Sequence, residues 1–289
     1  MIRVLFAAMW LLHLLPNRAL AAVGNALGPL AYRLVAERRR VTRVNLGKCF
    51  PWMATAERER LARAHFSAWC RSFLDHALLW WAPRGRIEQL IRIEGLEHLR
   101  ALEGAPAILF VPHFVGLDAG FARLACEIDM VSMYAQQKNA RLSARLLAGR
   151  TRFGNQKLVP RQDGIRAVLG PMREGRPLYY LPDMDYGPRG ALFVPFFGVP
   201  AATMPGLARI ARVTGAKVLP CVTRMLPDGT GYVVSIEPPW SDFPSEDVEA
   251  DTLRMNAYIE RRVLEAPEQY YWMHKRFKTR PEGQARFYA

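Results

Sequence analysis

The sequence predicts an α/β fold in which helices flank a central mixed sheet and a helical membrane anchor comes first. Beyond residue 86, short apolar segments alternate with segments of helical periodicity, which is typical of layered α/β domains. The turn residues PDGTG at 227–231 separate two apolar segments and indicate an antiparallel hairpin. Two apolar runs fill most of the first 36 residues. We therefore expect an anchor at 1–36, a membrane-proximal helical segment at 37–85 and an α/β domain at 86–289.

The two N-terminal apolar runs span residues 4–15 and 20–36, and the residues PNR at 16–18 divide them. Neither run reaches the roughly 20 apolar residues that cross a bilayer. Together they suit a marginal span or a bent hairpin that lies in one leaflet. An arginine-rich segment, residues 38–43, follows directly and is expected to keep the rest of the chain on the cytoplasmic side.

A cleaved signal peptide is the competing interpretation of the same residues. A short apolar region follows Arg3, and the small residues ALA at 19–21 resemble a cleavage site. Arg18 directly before that site and the second apolar run directly after it argue against export.

The individual elements follow from the periodicity of apolar residues. Residues 54–81 show the helical period with an aromatic-rich face. Residues 107–111 form a buried apolar run typical of a strand, and residues 117–126 have the period of the helix that follows. The other predicted strands are 91–93, 177–181, 216–223 and 232–236. The other predicted helices are 142–147, 164–173, 204–214 and 245–265.

The composition is that of a folded, basic protein. A chain of 289 residues with 51% hydrophobic content can bury a core, which excludes disordered and fibrous classes. The net charge of +14 points to an anionic partner: nucleic acid, a phospholipid surface or a phosphorylated substrate. The four cysteines show neither a CxxC pair nor metal-ligand spacing, which excludes a disulfide scaffold or zinc site and favours a reducing compartment.

His113 is the strongest candidate for acid–base chemistry. It follows the predicted strand 107–111, and Asp118 lies five positions later. His98 and Glu103 have the same spacing, but they lie in an amphipathic polar stretch with no strand before it, which is typical of a solvated helix face. Reactive groups in α/β folds lie where a strand ends and a helix begins. The context therefore distinguishes His113 from His98.

The spacing constrains how His113 and Asp118 could meet. Five residues correspond to about 140° of rotation on a continuous helix, so His113 must precede the helix. From that turn its ring can fold back, so that Asp118 accepts the imidazole N–H and leaves the other nitrogen free as a base. A core histidine bonded to the backbone is the alternative for His113.

Residues 113–118, HFVGLD, resemble the H-x4-D/E signature of the glycerolipid acyltransferase superfamily. Three later blocks are similar to one branch of it, the lipid A biosynthesis acyltransferases that add secondary acyl chains in Gram-negative bacteria. They are LPDMDYGPR at 181–189, FVPFFG at 193–198, and APEQY with WMHKRFKTRPEG within 266–283. Many members carry Glu where this chain has Asp118 and a polar residue where it has Met184.

The resemblance implies an enzyme on the cytoplasmic face of the inner membrane. Such an enzyme transfers a fatty acyl group from acyl carrier protein to a hydroxyl of a hydroxyacyl chain on a Kdo-bearing lipid A precursor. His113 is then the general base and Asp118 its orienting partner. A thioester is already activated, so one base suffices. We expect no metal and no cofactor besides the co-substrate acyl carrier protein, and partners that are an anionic glycolipid and a membrane, not nucleic acid.

Charged side chains in the middle of the chain are candidates for binding the anionic acceptor, because guanidinium groups bind phosphate and carboxylate in bidentate fashion. These candidates are Arg150, Arg161, Arg166 and Arg189. Asp183 and Asp185 are expected to organise those arginines or their own loop rather than bind a metal. Phe193, Phe196 and Phe197 suit either an acyl-chain slot or core packing.

Two other functions fit parts of the sequence. A membrane-tethered protein that binds nucleic acid or anionic lipid would account for the charge, but the arginines lie within apolar-periodic segments and form no nucleic-acid motif. A related acyltransferase that acts on a lysophospholipid is the nearer alternative. That branch carries an FPEGT block, and PDMD at 182–185 stands in its place here.

Overall fold

A seven-stranded sheet forms the centre of the protein in a computed structural model that describes residues 2–288. The strands of the protein are β1 (Ile91–Glu94), β2 (Ala107–Phe110), β3 (Val131–Tyr134), β4 (Lys157–Pro160), β5 (Leu178–Tyr180), β6 (Leu192–Phe196), β7 (Val199–Thr203), β8 (Lys217–Met225) and β9 (Tyr232–Ile236). The central sheet has the order β1-β9-β8-β2-β5-β3-β4, and β6 pairs with β7 in a separate hairpin.

Parallel pairing dominates the central sheet. Strand β8 pairs antiparallel with β9, and every other neighbouring pair is parallel. The predicted α/β fold with a central mixed sheet is confirmed, including the hairpin around residues 227–231. Phe110 of β2 is paired in register with Tyr180 of β5. The loops that follow these two strands therefore leave the sheet side by side.

Helices cover both faces of this sheet. They are α1 (Ile2–Leu12), α2 (Asn17–Leu34), α3 (Ala36–Cys49), α4 (Thr55–Trp81), α5 (Arg84–Leu90), α6 (Leu96–Arg100), α7 (Leu117–Leu124), α8 (Ala140–Arg150), α9 (Arg166–Arg173), α10 (Gly206–Thr214) and α11 (Val248–Glu265). Side chains of β2 alternate between two hydrophobic clusters. Ile108 and Phe110 pack with α10 and α11, whereas Leu109 and Val111 pack with α5 and α7. Burial on both faces explains the unbroken apolar run of this strand.

The long helix α4 connects the N-terminal helices to the sheet. Its Phe66 belongs to the cluster with α10 and α11, and its Leu78 and Trp80 belong to the cluster with α5 and α7. The side chain of Glu57 accepts a hydrogen bond from the Ala54 N–H at 3.0 Å and caps the start of the helix. The helix predicted at 54–81 is confirmed. The domain boundaries after residues 36 and 85 stay predictions.

Apolar side chains are exposed along α1 and α2. Leu34 is 72% exposed and Leu30 is 50% exposed, and Leu11 is similarly open. Among residues 2–288, no helix is by itself both long and apolar enough to cross a membrane, and α2 and α3 meet that requirement only as a pair bent by 94°. The membrane anchor at 1–36 therefore stays a prediction. Met1 and Ala289, at the outer ends of the predicted anchor and domain, lie outside the described residues.

The hairpin of β6 and β7 contains the aromatic block of the sequence. Its turn is formed by Phe197 and Gly198, which have φ values of +49° and +74°. Phe196 is fully buried and packs on Tyr270, with ring centroids 5.8 Å apart, whereas Phe193 is partly exposed. Phe196 thus packs in the core, and none of the three phenylalanines lines the large cavity of the protein.

Candidate active site

A cavity of about 1110 Å³ opens at the carboxyl ends of β2, β3 and β5. His113 lines it from the loop after β2, Tyr134 from the end of β3 and Leu181 from the loop after β5. Helices α8 and α10 contribute Arg150 and Arg209 to its wall. Open α/β sheets bind their ligands outside the carboxyl ends of the strands. The cavity is therefore the candidate active site.

The backbone around His113 is fixed from two sides. On the sheet side, the Val111 N–H donates to the Tyr180 carbonyl at 2.9 Å. On the other side, the Tyr271 N–H donates to the His113 carbonyl at 2.9 Å, and the Val115 N–H donates to the Gln269 carbonyl at 2.8 Å. The C-terminal segment, residues 266–288, therefore pairs with the loop that carries His113. This pairing holds the imidazole ring at the cavity wall.

The imidazole of His113 is hydrogen-bonded to Asp183. Nδ1 lies 2.5 Å from one carboxylate oxygen, and the His113 backbone N–H donates to the other oxygen at 3.0 Å. His113 comes three positions after Phe110 and Asp183 three positions after Tyr180, and these two strand residues are paired in register. Parallel pairing of β2 and β5 therefore brings the two side chains together.

Asp183 is buried and accepts a further hydrogen bond, from the Tyr270 hydroxyl at 3.0 Å. Burial alone would raise the pKa of Asp183, but the charge of His113 and the two hydrogen bonds from that residue outweigh it and lower the pKa. The carboxylate is thus ionised and holds the proton of His113 on Nδ1. Nε2 of His113 is the ring nitrogen that Asp183 does not contact, and it is the position from which a general base would act.

Asp118 has other partners than the sequence predicted. Its carboxylate accepts from Arg150 at 2.7 Å and contacts Nε2 of His76 on α4 at 3.3 Å. The prediction that Asp118 orients the ring of His113 was wrong. Asp118 is the second residue of α7, and its side chain extends toward α4 and α8, where Arg150 and His76 take both carboxylate oxygens. His113 and Asp118 nevertheless line the same cavity.

The cluster of Asp118, Arg150 and His76 is charged and largely enclosed. Both ring nitrogens of His76 face acceptors, since Nδ1 lies 3.0 Å from the Ser72 carbonyl. Burial alone would lower the pKa of His76, but the hydrogen bond and charge of Asp118 outweigh it and raise the pKa. The pKa of Asp118 is lowered because Arg150 and His76 more than offset its burial. Asp118, which is itself held by His76, therefore fixes Arg150 at the cavity wall.

The similarity of the chain to characterised proteins covers nearly all of this fold. A family model described as bacterial lipid A biosynthesis acyltransferase matches residues 2–279. The chain belongs to this family. The resemblance inferred from the motifs is thereby confirmed, and the protein is an acyltransferase that forms an ester with a hydroxyl group.

Several relatives of this acyltransferase are similar to it along most of their length. The lipid A biosynthesis lauroyltransferase of Escherichia coli (strain K12) is 34% identical over 278 residues, which cover 95% of this chain and 90% of the relative. The myristoyltransferase of the same strain is 32% identical over 287 residues, 98% of this chain and 88% of the relative. The palmitoleoyltransferase of that strain is 30% identical over 283 residues, 97% of this chain and 92% of the relative.

The predicted substrate-binding arginines of the acyltransferase fall into two groups. Arg150 and Arg161 line the cavity, and the guanidinium of Arg161 lies 5.0 Å from the ring centre of Tyr186. Arg166 and Arg189 are exposed and do not line it. Arg209, which the sequence did not single out, and Lys278, from the basic C-terminal block of the sequence, line the cavity instead. Arg209 occurs in a correctly predicted helix, but the helical period alone does not tell which side a cavity lies on.

Asp185 organises its own loop, as one of the two sequence interpretations had it. Its carboxylate accepts from the Thr279 hydroxyl at 2.8 Å and from the Gly187 N–H at 2.9 Å. Its backbone N–H donates to Nε2 of His274 at 3.0 Å. Asp185 therefore ties the loop after β5 to the C-terminal segment.

A metal site is not apparent in the described part of the chain. Residues 2–288 contain no group of three or more His, Cys, Asp or Glu side chains placed to hold a metal ion. The expectations of no metal and no cofactor stay predictions.

Proposed function

We propose that this acyltransferase takes a fatty acyl group from acyl carrier protein and transfers it to a hydroxyl of a hydroxyacyl chain on a Kdo-bearing lipid A precursor. The observation that carries the proposal is the hydrogen bond between His113 and the buried Asp183 at the wall of a cavity of about 1110 Å³. Membership of the lipid A biosynthesis acyltransferase family supports the choice of a lipid A-type acceptor.

The reaction needs a base because an alcohol is a poor nucleophile until it loses its proton. Nε2 of His113 takes that proton as the hydroxyl oxygen attacks the thioester carbonyl. Asp183 keeps the other proton on Nδ1 and stabilises the imidazolium that forms. When the carbon–sulfur bond breaks, His113 returns the proton to the thiolate. The ester and the free carrier thiol are the products.

The cysteines support direct transfer without an acyl-enzyme. All four are buried, and none lines the cavity. Burial raises the pKa of the Cys221 thiol to about 12 and also raises that of Cys49. A buried thiol with a raised pKa is a poor nucleophile. The single histidine base is therefore the simplest route.

Asp118 acts in this proposal through Arg150. Its carboxylate holds the guanidinium at the wall by contacts of 2.7 and 2.9 Å, and the Arg150 side chain is left partly open at 28% exposure. A guanidinium held in this way can meet an anionic or carbonyl oxygen of a substrate without losing further freedom. The predicted importance of Asp118 is kept, with a different partner.

The cavity offers surfaces for both parts of the substrates. Apolar side chains such as Leu117, Phe121 and Leu147 suit the acyl chain. The cations Arg161, Arg209 and Lys278 suit phosphate or carboxylate groups. Arg166 and Arg189 stay candidates for acceptor groups that extend beyond the cavity.

We place the protein on the cytoplasmic face of the inner membrane. The support is the row of exposed apolar side chains on α1 and α2, which include Val4 and Leu34, each 72% exposed. Exposed apolar patches of this kind mark contact with a partner or a membrane, and a lipid acceptor is itself membrane-bound. The net charge of +14 adds attraction to anionic lipid and to the acidic carrier protein.

Mass spectrometry of lipid A tests this function in cells. A strain that lacks the protein should accumulate lipid A short of one acyl chain, and the restored protein should add that chain. A His98→Gln control, a substitution outside the cavity, should restore it equally. Acylation of lysophospholipid without any change in lipid A would contradict the proposal.

A further inference from the structure

A second histidine lines the cavity close to His113 and has no role in the mechanism above. His274 lies in the C-terminal segment, and its backbone N–H donates to the Tyr271 carbonyl at 3.3 Å. The Tyr271 N–H in turn donates to the His113 carbonyl. The loop after β5 joins the same two residues, since Asp183 binds His113 and the Asp185 N–H binds His274. The loop after β5 and the C-terminal segment thus hold both histidines by hydrogen bonds.

The hydrogen bond to Asp185 fixes the tautomer of His274. A backbone N–H can only donate, so Nε2 of His274 must present its lone pair at 3.0 Å. The ring proton therefore sits on Nδ1. Nδ1 has no hydrogen-bond partner within residues 2–288 and is not among the enclosed polar atoms without a partner. His274 lines the cavity, so we infer that this N–H donor is available to a molecule bound there.

His274 also stays neutral while the reaction proceeds. Burial and the charges of His113 and Arg276 together lower the pKa of His274 to about 4, against the opposing effect of Asp183 and Asp185. Protonation of His113 during the attack makes a charge on His274 still less favourable. A neutral imidazole with a fixed N–H acts as a hydrogen-bond donor, not as a competing base.

We propose that Nδ1–H of His274 donates to the carbonyl oxygen of the acyl thioester and stabilises the oxyanion that develops there. The inference rests on the function proposed above. As the carbon–oxygen bond forms, the hydroxyl proton passes to Nε2 of His113 and the π electrons of the carbonyl move to its oxygen. This oxygen carries the negative charge that His274 meets. The carbonyl then re-forms, the carbon–sulfur bond breaks and the thiolate takes the proton from His113.

Two substitutions of His274 separate donation to the oxyanion from acceptance of the Asp185 N–H, which holds the loop after β5. In asparagine the amide branches at Cγ, where Nδ1 of histidine is attached, so His274→Asn can keep the donor and loses the acceptor for Asp185. In glutamine the amide lies one bond further out, so His274→Gln can keep the acceptor and loses the donor. Loss of one oxyanion donor costs about 10²–10³-fold in kcat.

The experiment measures kcat and KM for transfer from acyl carrier protein to the lipid A precursor in purified protein. We expect His274→Gln to lower kcat by about 10²-fold or more with KM within about threefold, and His274→Asn to keep kcat within about tenfold of the native value. Thermal unfolding of each variant shows whether the fold is kept. Equal losses in both variants, a larger loss in His274→Asn, or a His274→Gln enzyme within about threefold of native would overturn the proposal.

Two controls keep this inference distinct from the proposed function. His98→Gln makes the same chemical change on α6, away from the cavity, and should leave kcat unchanged. His113→Ala should lower the rate of transfer by about 10²–10⁴-fold, whatever His274 does. An inactive His113→Ala together with a near-native His274→Gln leaves the function standing and removes the oxyanion role. An active His113→Ala refutes the base itself, and the role of His274 falls with it.

Discussion

Asp183 accepts a hydrogen bond of 2.5 Å from Nδ1 of His113, although 70 positions separate the two residues in the chain. The contact depends on the parallel pairing of β2 with β5, which sets Phe110 beside Tyr180. Its chemical consequence is that Asp183 holds the proton on Nδ1, so Nε2 is the nitrogen that can take up and return a proton. The register of β2 and β5 therefore determines which nitrogen of His113 can act as the base.

Asp183→Asn should leave the fold intact and nearly abolish transfer. The amide has the shape of the carboxylate, but it holds neither the correct tautomer nor the imidazolium, so kcat should fall by about 10³–10⁴-fold. Steady-state transfer from acyl carrier protein measures the loss. Asp163→Asn, an exposed aspartate outside the cavity, is the matched control and should be unaffected. A value of kcat for Asp183→Asn close to that of the control would refute the role of this carboxylate.

Asp118→Ala and Arg150→Ala should lower activity by similar amounts and should not add. Because the carboxylate serves to hold the guanidinium, kcat/KM of each single variant should fall by about 10–100-fold. The double variant should be about as active as the less active of the two single variants. A double-mutant cycle on kcat/KM measures the coupling. Arg141→Ala, an exposed arginine on the same helix as Arg150, is the control. Losses that multiply in the double variant would show that the two residues act independently.

The stability of the protein should fall as the pH drops from about 6.5 toward 4, in part because of His65 and His274. Burial lowers the pKa of each to about 4, from an ordinary value of 6.5. Between these values the unfolded chain binds more protons than the folded one, so the stabilisation is present above 6.5 and is lost on acidification. Each histidine contributes up to about 1.4 kcal/mol per pH unit in that window.

Urea unfolding at pH 7, 6 and 5 measures this dependence. The His274→Gln variant removes one of the two groups, and its free energy of unfolding should therefore decline less steeply with falling pH than that of the native protein. His98→Gln should decline as the native protein does. An unchanged slope in His274→Gln would contradict the protected, neutral state of this ring.

Leu30→Glu and Leu34→Glu should weaken membrane association without affecting the cavity. Both side chains are at least half exposed on α2, and inserting each into a bilayer should contribute about 1.5 kcal/mol or more, which is at least about tenfold in partitioning. Flotation with vesicles that contain anionic phospholipid measures the change. Val213→Glu, which replaces an exposed apolar side chain on α10, is the matched control. Equal loss in the control, or none in the two leucine variants, would exclude α2 as the contact.

Most of the fold was predictable because the core strands are fully buried. Residues 107–111 form an unbroken apolar run, and residues 216–223 are mostly apolar apart from an exposed Lys217, since both faces of the sheet are covered. β3 and β4 were missed, because they are short, and β4 begins with an exposed lysine and ends with a proline at the sheet edge. The hairpin of β6 and β7 was missed for a similar reason, since each of its strands contains a proline.

The sequence predicted the position of His113 in the site, but it did not predict the hydrogen-bond partners of this residue. His113 stood out because a strand leads into it, but the sequence spacing suggested a bond with Asp118, whose carboxylate instead contacts Arg150 and His76. The partner of His113 could be found only from strand register, which a single sequence does not give. His76 reaches the site from α4 and was not predicted. His274 lies in the C-terminal block that carries the family resemblance, but no role was predicted for this histidine because its contacts come from distant parts of the chain.

The most direct test of the account is single-turnover transfer by purified His113→Ala, from acyl carrier protein to a Kdo-bearing lipid A precursor. The account predicts that the rate of ester formation falls by about 10²–10⁴-fold while the variant unfolds at the same temperature as the native protein. An alanine variant that forms the ester at close to the native rate would contradict the central claim that this imidazole is the base.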